Sequence, residues 1–440
     1  MVVPPRTKPP GSRFKGYADF TVVGLRFTPH NVRYRLEIWR TPGGDRVMGE
    51  LPTSLQVLGG HCSPELATYI LHQHHHALVP QGLIWEQLRE IGVPISEGQV
   101  NRILLDYSAP FHAEKEELLK AGLEVSSHIH ADDTGARHRG KNGYCTHIGN
   151  EWFAYFASTE SKSRINFLKL LRAGRTDYVL GQDAFDYMRA QKLPKEVLVR
   201  LVEIGATTVT DDQAWKETLR RWKVTNERHV RIVTEGALVG SVLSEGVRPD
   251  LVIISDDAGQ FNVLLHALCW IHAERLLAKL VGFSDEQRAT LEAKRTEVWD
   301  FYRALKTYKT TPTPVAKTAL VERFDRIFTE KTCFASLNEA LKRLHKNKAE
   351  LLLVLERPEL PLHNNTSEND IRDYVMRRKR SGSTRSDLGR LCRDSFASLK
   401  KTCRKLGISF WRYLLDRCSG ANTVPYLPDL IRQRAQEVRA

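Results

Sequence analysis

Several features that define other protein classes are missing from this 440-residue sequence. No run of about 18 apolar residues occurs, which excludes a membrane-spanning helix. The N-terminal stretch MVVPPRTKPPGSRFKG lacks the apolar segment of a secretory signal, so we expect a cytoplasmic protein without a membrane partner. There is no internal repeat and no Cys-x-x-Cys pair. An odd number of single cysteines excludes a disulfide scaffold and favours free thiols; these are Cys62, Cys145, Cys269, Cys333, Cys392, Cys403 and Cys418.

Positive charge is in excess and is concentrated in two segments. The chain has 66 Lys and Arg residues against 52 Asp and Glu residues, a formal net charge of +14. Residues 1–16 contain four basic residues and no acid, and residues 372–405 contain twelve basic residues and three acids. Such clustering favours a polyanion as partner. The alternative is a soluble basic protein without such a partner.

The order of sequence patterns predicts three units in the N-terminal part of the chain. Four prolines and the absence of acids predict a flexible basic arm over residues 1–17. Alternating β-branched and aromatic residues, broken by Pro and Gly turns, predict a small β-meander over residues 18–58. Helical periodicity then predicts a helical region over residues 59–125.

The helical region contains a helix-turn-helix pattern. Leu83–Ile91 and Ser96–Leu104 are predicted helices joined by a short turn, and the first residue of the second helix has capping-box spacing to Gln99. The second helix of this arrangement can enter a major groove, where Gln99, Asn101 and Arg102 are suited to contact base edges or phosphates. The alternative is a structural hairpin, because many helical hairpins bind nothing.

Acidic residues follow two predicted strands. Residues 127–134 read as a strand that ends in a pair of aspartates, and the apolar run 251–255 leads directly into a second pair. Glu368 lies in the first turn of a later predicted helix. Carboxylates from three separate elements can hold two magnesium ions for phosphoryl transfer. The alternative is that strands end at the surface, where acids are common.

Three motifs resemble those of the DDE transposases of the insertion sequence 66 family. They are D-D-T-G-A-R from Asp132, C-W-I-H-A-E-R from Cys269, and N-N-T-S-E-N-D-I-R from Asn364, the last followed by an Arg-Lys pair. The likeness extends over about residues 60–414. The second and third motifs in this order are specific to the family, whereas D-D-T alone would be a weak signal.

The resemblance implies a fold and a metal site. The fold class is α/β, with a ribonuclease-H-like catalytic core, a mixed sheet flanked by helices, over residues 126–420. The separation of the acids implies insertions at about 172–250 and 281–360, and residues 421–440 are expected to form a tail. The implied catalytic residues and metal ligands, which would hold two Mg²⁺ ions with Mn²⁺ as a substitute, are Asp132, Asp256 and Glu368.

A pair of aspartates stands at each of the first two ligand positions, so the member that would bind the metals must be distinguished from its neighbour. Strand alternation sends the two members of a pair to opposite faces, and only one of each pair then faces the metals. The family register favours Asp132 over Asp133. It likewise favours Asp256 over Asp257. The Cys-rich N-terminal finger of many relatives is absent from this sequence.

Several basic residues near the implied site are expected to contact DNA. His272 and Arg275 lie one turn apart at the start of a helix, where they would contact the scissile phosphate or orient a carboxylate. Arg372, four residues after Glu368, is expected to pair with it or to contact a phosphate. A basic loop is expected next, and its predicted DNA contacts are Arg377, Arg378, Lys379 and Arg380.

Together these features predict a transposase. It would bind the ends of its element, hydrolyse a phosphodiester and direct the freed 3′ hydroxyl at target DNA. The expected partners are double-stranded DNA, further copies of the chain in a homodimer or larger synaptic oligomer, and small accessory transposition proteins, at the bacterial nucleoid. The alternatives are a ribonuclease-H-like nuclease without strand transfer and a non-catalytic, transposase-derived DNA-binding regulator. Retention of the three acids argues against the regulator, whereas nothing in the sequence separates strand transfer from hydrolysis alone.

Overall fold

A computed structural model describes residues 1–56, 59 and 61–439, and its strands form three sheets. The largest is a mixed five-stranded sheet, and the other two are two-stranded. The strands are β1 (Ile38–Arg40), β2 (Arg46–Met48), β3 (His128–Gly135), β4 (Tyr144–Gly149), β5 (Ala154–Thr159), β6 (Tyr178–Leu180), β7 (Thr207–Val209), β8 (Val252–Ser255) and β9 (Leu265–Leu268).

Helices flank the large sheet and fill most of the remaining described chain. Of the described helices, none is both long and apolar enough to cross a membrane. A 3₁₀ turn at Leu353–Leu355 supplements the α-helices. These are α1 (Thr53–Gln56), α2 (Pro64–His75), α3 (Gln81–Glu90), α4 (Glu97–Leu105), α5 (Ala109–Val125), α6 (Arg164–Leu171), α7 (Gln182–Ala190), α8 (Lys195–Ile204), α9 (Asp212–Arg221), α10 (Glu227–Ser244), α11 (Trp270–Ala278), α12 (Asp285–Thr310), α13 (Pro314–Thr329), α14 (Ala335–Lys346), α15 (Lys348–Leu351), α16 (Asn365–Ser381), α17 (Asp387–Lys405), α18 (Phe410–Ser419) and α19 (Leu427–Arg439).

The central sheet has the strand order β5-β4-β3-β8-β9. Strands β3, β4 and β5 form an antiparallel meander, and β8 and β9 add to it in parallel with β3. All four residues of β8 are buried, as expected for an apolar strand covered by helices on both faces. The α/β class and the mixed sheet flanked by helices are therefore confirmed.

Helix α17 covers the outer edge of the sheet with polar side chains. The open edge of a sheet carries unpaired N–H groups, and alternate N–H groups of β5 are bonded here by side chains four residues apart on α17. Two strand residues advance by about 6.7 Å and four helical residues by about 6 Å, so the helix and the strand stay in step. The bonds run from Ala154 to Thr402 (3.1 Å), from Phe156 to Ser398 (2.9 Å) and from Ser158 to Asp394 (2.7 Å).

The helical region contains the two helices expected from the helix-turn-helix pattern. Helix α4 begins after Ser96, whose side chain accepts the Gln99 N–H, while the Gln99 side chain accepts the Ser96 N–H at 2.9 Å. The predicted capping box is thus confirmed. The indole of Trp85 on α3 donates to the Ile95 carbonyl at 3.1 Å, which fixes the turn between the helices.

The expected β-meander over residues 18–58 is much smaller in the structure. Only the hairpin of β1 and β2 forms, and residues 18–37 belong to no strand. The alternating residues there, such as Phe20 and Val23, are exposed, because a two-stranded ribbon offers no apolar face on which to bury them. Val57, Leu58 and Gly60, at the expected boundary with the helical region, lie outside the described residues.

Two further segments show structure that the sequence did not indicate. Helix α19, within the residues expected to form a tail, packs on α5 and buries Leu427, Ile431 and Ala435, which lie four residues apart on one helix face. Residues 172–250, which the family resemblance implies to be an insertion, contain the ribbon of β6 and β7 besides four helices. Each of these strands has three residues, too few to show a period of two in the sequence.

The cover on the sheet edge gives a testable prediction about stability. Ser398→Ala leaves the buried Phe156 N–H without its acceptor, so we expect the free energy of unfolding to fall by about 1–3 kcal/mol in urea denaturation. The control is Ser336→Ala, which removes an exposed hydroxyl on α14 and should change stability by no more than about 0.5 kcal/mol. Equal stability of the two variants would show that the hydrogen bonds of this edge contribute nothing.

Candidate active site

Two aspartates meet where β3 and β8 end. These neighbouring strands are parallel, with His128 opposite Val252 and His130 opposite Ile254. Extended by two residues, this register sets Asp132 beside Asp256. Both carboxylates therefore lie at the same edge of the sheet. The strands that lead to them are anchored in the core by their buried apolar residues.

The carboxylate of Asp132 lies in an unfavourable electrostatic environment. Burial raises its pKa to about 7, against the opposing effect of a 2.7 Å hydrogen bond from the Asp133 N–H. The charges of Asp256, Asp133 and Glu368 raise the pKa further. The charges of the other two predicted catalytic acids thus act on Asp132, although the three come from distant parts of the sequence.

The other member of each aspartate pair has separate partners. Asp133 accepts hydrogen bonds from Thr146 at 2.5 Å and from Gln260 at 2.8 Å. Asp257 accepts from the Arg343 guanidinium at 2.5 and 3.0 Å. Each of these two carboxylates thus has hydrogen-bond donors of its own, and their exclusion from the metal site stays a prediction.

Glu368 lies in the first turn of α16 and is held by helix α11. The guanidinium of Arg275 donates to its carboxylate at 2.9 Å, and Nε2 of His272 lies 3.3 Å from it. The predicted DNA contacts His272 and Arg275 therefore bind the third acid in this structure. Among the described side chains, Glu368 pairs with these two residues and not with Arg372, which is exposed.

A buried polar contact fixes α16 across strand β3. The Asn364 side-chain amide donates to the carbonyl of Ala131 at 2.9 Å, and its oxygen lies 2.9 Å from Nδ1 of His130. Burial lowers the pKa of His130 to about 3, so its imidazole is neutral. Because Asn364 reaches the residue before Asp132 and lies four residues before Glu368, this contact sets the distance between two of the acids.

A second buried contact repeats this arrangement on strand β4. Nδ1 of His147 lies 2.6 Å from the hydroxyl of Ser367, and its Nε2 lies 3.2 Å from Asp370. Burial raises the pKa of Asp370, but His147 and Lys405 outweigh this effect and hold it at about 2. These residues were not predicted from the sequence, where the available signal was a histidine within each of two buried strands.

The basic residues after Glu368 lie on a helix, since α16 continues to Ser381. Arg377 donates to His75 at 2.9 Å and to His74 at 2.7 Å, so in this structure its guanidinium is engaged within the protein. Burial lowers its pKa to about 10. The remaining three residues are closer to the surface: Arg378 donates to the Gly135 carbonyl, Arg380 donates to the Ala77 carbonyl at 3.1 Å, and Lys379 is exposed.

The predicted DNA-reading residues of α4 differ in their availability. The Gln99 side chain is used in the capping box, where its oxygen faces the N–H and hydroxyl of Ser96. Asn101 and Arg102 are exposed on the helix surface. Of the three residues, Asn101 and Arg102 can therefore contact a ligand without breaking the capping box.

The acids suit magnesium by donor type but do not form a finished site. Carboxylate oxygens are the ligands that this ion prefers, and the register of β3 and β8 brings Asp132 and Asp256 to the same edge of the sheet. Among the described residues, however, no three His, Cys, Asp or Glu side chains are grouped to hold a metal ion. Glu368 is turned toward Arg275 and His272, so it must leave these partners to join the two aspartates.

Comparisons with known proteins identify the family of this chain. Residues 207–390 match the family described as Transposase IS66 family, a range that contains Asp256 and Glu368 but not Asp132. The chain is also similar to a protein of Sinorhizobium fredii (strain NBRC 101917 / NGR234), called uncharacterized protein y4jO. The two are 46% identical over 302 residues, which cover 68% of this chain and 94% of the relative. On this match and the motifs that lie within it, the chain belongs to the IS66 family of transposases.

Proposed function

We propose that this chain is a catalytically active DDE transposase, which cleaves DNA at the ends of its element and joins the freed 3′ hydroxyl to target DNA. The observation that carries the proposal is the parallel register of β3 and β8, which sets Asp132 beside Asp256. The effect of Glu368 on the pKa of Asp132 adds the third acid to this pair. A regulator without catalysis would have no need to keep three acids at such close range.

We further propose that the central sheet is a ribonuclease-H-like core. Its antiparallel meander of three strands, extended by two strands parallel to the first, supports this assignment. Asp132 and Asp256 would then lie at the carboxyl ends of β3 and β8, the first and fourth strands of this sheet in chain order. Residues 172–250 lie between these two strands and would be an insertion into the core.

The proposed chemistry divides between the ions and the protein. Two Mg²⁺ ions, or Mn²⁺ in their place, would supply activation of the attacking oxygen and stabilisation of the leaving oxygen when bound. Asp132 and Asp256 would hold them, and Asp132 would release the carboxyl proton that burial allows it to keep near pH 7. Arg275 and His272 position Glu368, which would turn from them toward the aspartates.

We propose double-stranded DNA as the partner, with Asp132 and its neighbours acting on the element end and α4 recognising it. The exposed side chains of Asn101 and Arg102 support this role for α4. Assembly into a homodimer or larger synaptic oligomer, with small accessory transposition proteins, belongs to the same proposal. A nuclease that cleaves without strand transfer would use the same acids and is distinguished by its products.

The catalytic assignment predicts a sharp division among five acids. Asp132→Asn, Asp256→Asn and Glu368→Gln should each lower magnesium-dependent nicking of an end-containing duplex by at least about 10³-fold, and the triple variant should be no worse, because these residues act as a unit. Asp133→Asn and Asp257→Asn are the matched controls and should retain much of the activity.

The products of the same assay separate the two enzymatic functions. A transposase yields both nicked ends and ends joined to target DNA, whereas a nuclease yields nicked ends alone. An active Glu368→Gln would remove the third acid from the proposal. Loss of activity in Asp133→Asn with activity kept in Asp132→Asn would move the site by one residue.

The raised pKa of Asp132 predicts how stability depends on pH. Between its ordinary pKa of 3.8 and its folded-state value of about 7, the folded protein keeps a proton that the unfolded chain releases, so the free energy of unfolding falls as pH rises through this window. Asp132→Asn removes the carboxylate that causes this fall in stability. It should therefore raise the melting temperature, by more at pH 8, where the fall is complete, than at pH 5. Mg²⁺ should raise the melting temperature of the unaltered protein at pH 8 and have little effect on this variant.

The control for that measurement is Asp183→Asn, which removes one exposed carboxylate at the start of α7. It should leave the magnesium effect intact. If Asp132→Asn and Asp183→Asn respond alike to both pH and Mg²⁺ in differential scanning calorimetry, Asp132 neither carries the shifted pKa nor binds the ion.

The proposed role of α4 predicts a loss of sequence preference. Replacing Asn101 and Arg102 together with Ala should reduce the preference for the element end over random duplex by about 10-fold or more, since base contacts carry specificity. Lys120→Ala on α5, also exposed, is the control and should leave the preference unchanged. Fluorescence anisotropy with both duplexes measures the ratio, and equal losses on the two would show that α4 does not read sequence.

A further inference from the structure

The loop between β3 and β4 forms a basic tip beyond Asp132. Residues 136–143 contain Arg137, His138, Arg139 and Lys141 and no acid. His138 pairs with Lys141 across the tip, and the two residues between them have positive φ angles, as a two-residue hairpin turn requires. The tip is therefore a preformed structure that presents exposed cationic side chains at the site end of the sheet.

The tip is attached to the segment that follows α16. The Arg139 N–H donates to the Thr384 carbonyl at 2.8 Å, and the Thr384 N–H donates to the Arg137 carbonyl at 3.2 Å. Nδ1 of His138 also lies 2.9 Å from the hydroxyl of Thr384. Two segments that are far apart in the sequence thus form one continuous surface, which we call the hairpin surface and define as residues 137–141 and 379–385.

The hairpin surface has more basic side chains than nearby acidic side chains to pair with them. Neither segment contains an acid, and the nearest acid in sequence is Asp387. That carboxylate already contacts Arg139 at 2.7 Å, His138 at 3.1 Å and Arg390 at 3.2 Å. The exposed cations left without an acidic partner among the described residues are Arg137, Lys141, Lys379, Arg380 and Arg385.

We propose that the hairpin surface is a binding site for the phosphate backbone of double-stranded DNA close to the cleaved bond. The proposal rests on the function proposed above, because that function places DNA at Asp132. Arg137 follows Asp132 by five residues of extended chain, a span of roughly 16 Å at about 3.3 Å per residue. With a rise of about 3.4 Å per nucleotide, the hairpin surface would contact phosphates within about five nucleotides of the cleaved bond.

The chemistry of the surface fits this ligand. Guanidinium groups bind phosphate oxygens through paired hydrogen bonds, and Lys supplies a mobile point charge. Contacts of this kind position the duplex and carry no sequence information. The hairpin surface therefore complements α4, which is proposed to read the sequence of the element end.

The test removes two charges from the tip and measures how binding depends on salt. The double variant Arg137→Ala with Lys141→Ala is compared with the unaltered full-length chain in EDTA, using an end-containing duplex and a random duplex of equal length. Each lost phosphate contact should reduce the slope of log K against log salt by about 0.9, so a reduction of about 1.8 is expected. Arg139 is left in place because its side chain pairs with Asp387 and its φ is positive.

The matched control removes two exposed cations elsewhere, Lys216→Ala with Arg220→Ala on α9, and should keep the original slope. A reduced slope on both duplexes assigns the hairpin surface to DNA of any sequence, target included. A reduced slope on the end-containing duplex alone assigns it to the element end. Slopes and affinities equal to those of the control on both duplexes overturn the proposal.

Folding and catalysis are controlled separately. If the double variant does not fold, Lys141→Gln alone, at an exposed side chain, should still reduce the slope by about 0.9. Because binding is measured without metal, an active Asp132→Asn enzyme would refute the catalytic assignment and leave this result standing. An unchanged slope with an inactive Asp132→Asn would refute the hairpin surface alone.

Discussion

The parallel pairing of β3 with β8 is the interaction on which the rest of the site depends. Parallel strands of one sheet end at the same edge, so whatever residue follows the buried part of each is brought beside its counterpart. A shift of one residue in this register would set Asp133 beside Asp256, and side chains on opposite faces would meet. The buried apolar residues Ile129, Ile253 and Ile254 oppose such a shift, because it would move each side chain into the packing of the opposite face of the sheet.

Acids held this close together repel each other, and the surrounding structure has to resist that repulsion. The raised pKa of Asp132 reports both burial and the neighbouring carboxylates. Asn364 and His147 hold α16 against the sheet through buried hydrogen bonds that lie away from the acids. Arg275 forms an ion pair with Glu368 in the first turn of the same helix. The helix that carries Glu368 is thus held in place by contacts other than those among the three acids.

The sequence predicted those parts of the structure that local patterns determine. The buried run ending at Ser255 and the capping box of Ser96 and Gln99 depend on neighbouring residues only, and both were recognised. Partners chosen by tertiary packing were not: Arg275 lies 93 residues from Glu368, and Arg372, one helical turn away, was the local choice. Helix α19 was missed for a related reason, since its apolar face has meaning only once α5 is beside it.

Helix α16 is the element shared by the site and the N-terminal helical region. Its first turn carries Glu368, and about 14 Å further along Arg377 enters the end of α2 through His74 and His75. Burial and the charge of Arg377 lower the pKa of His74 to about 3, so the imidazole accepts from the guanidinium as a neutral group. A displacement of α2 would have to break these buried hydrogen bonds or move α16 with it. Helix α16 therefore connects α2 at one end with the turn that carries Glu368 at the other, whereas Asp132 and Asp256 follow strands of the sheet.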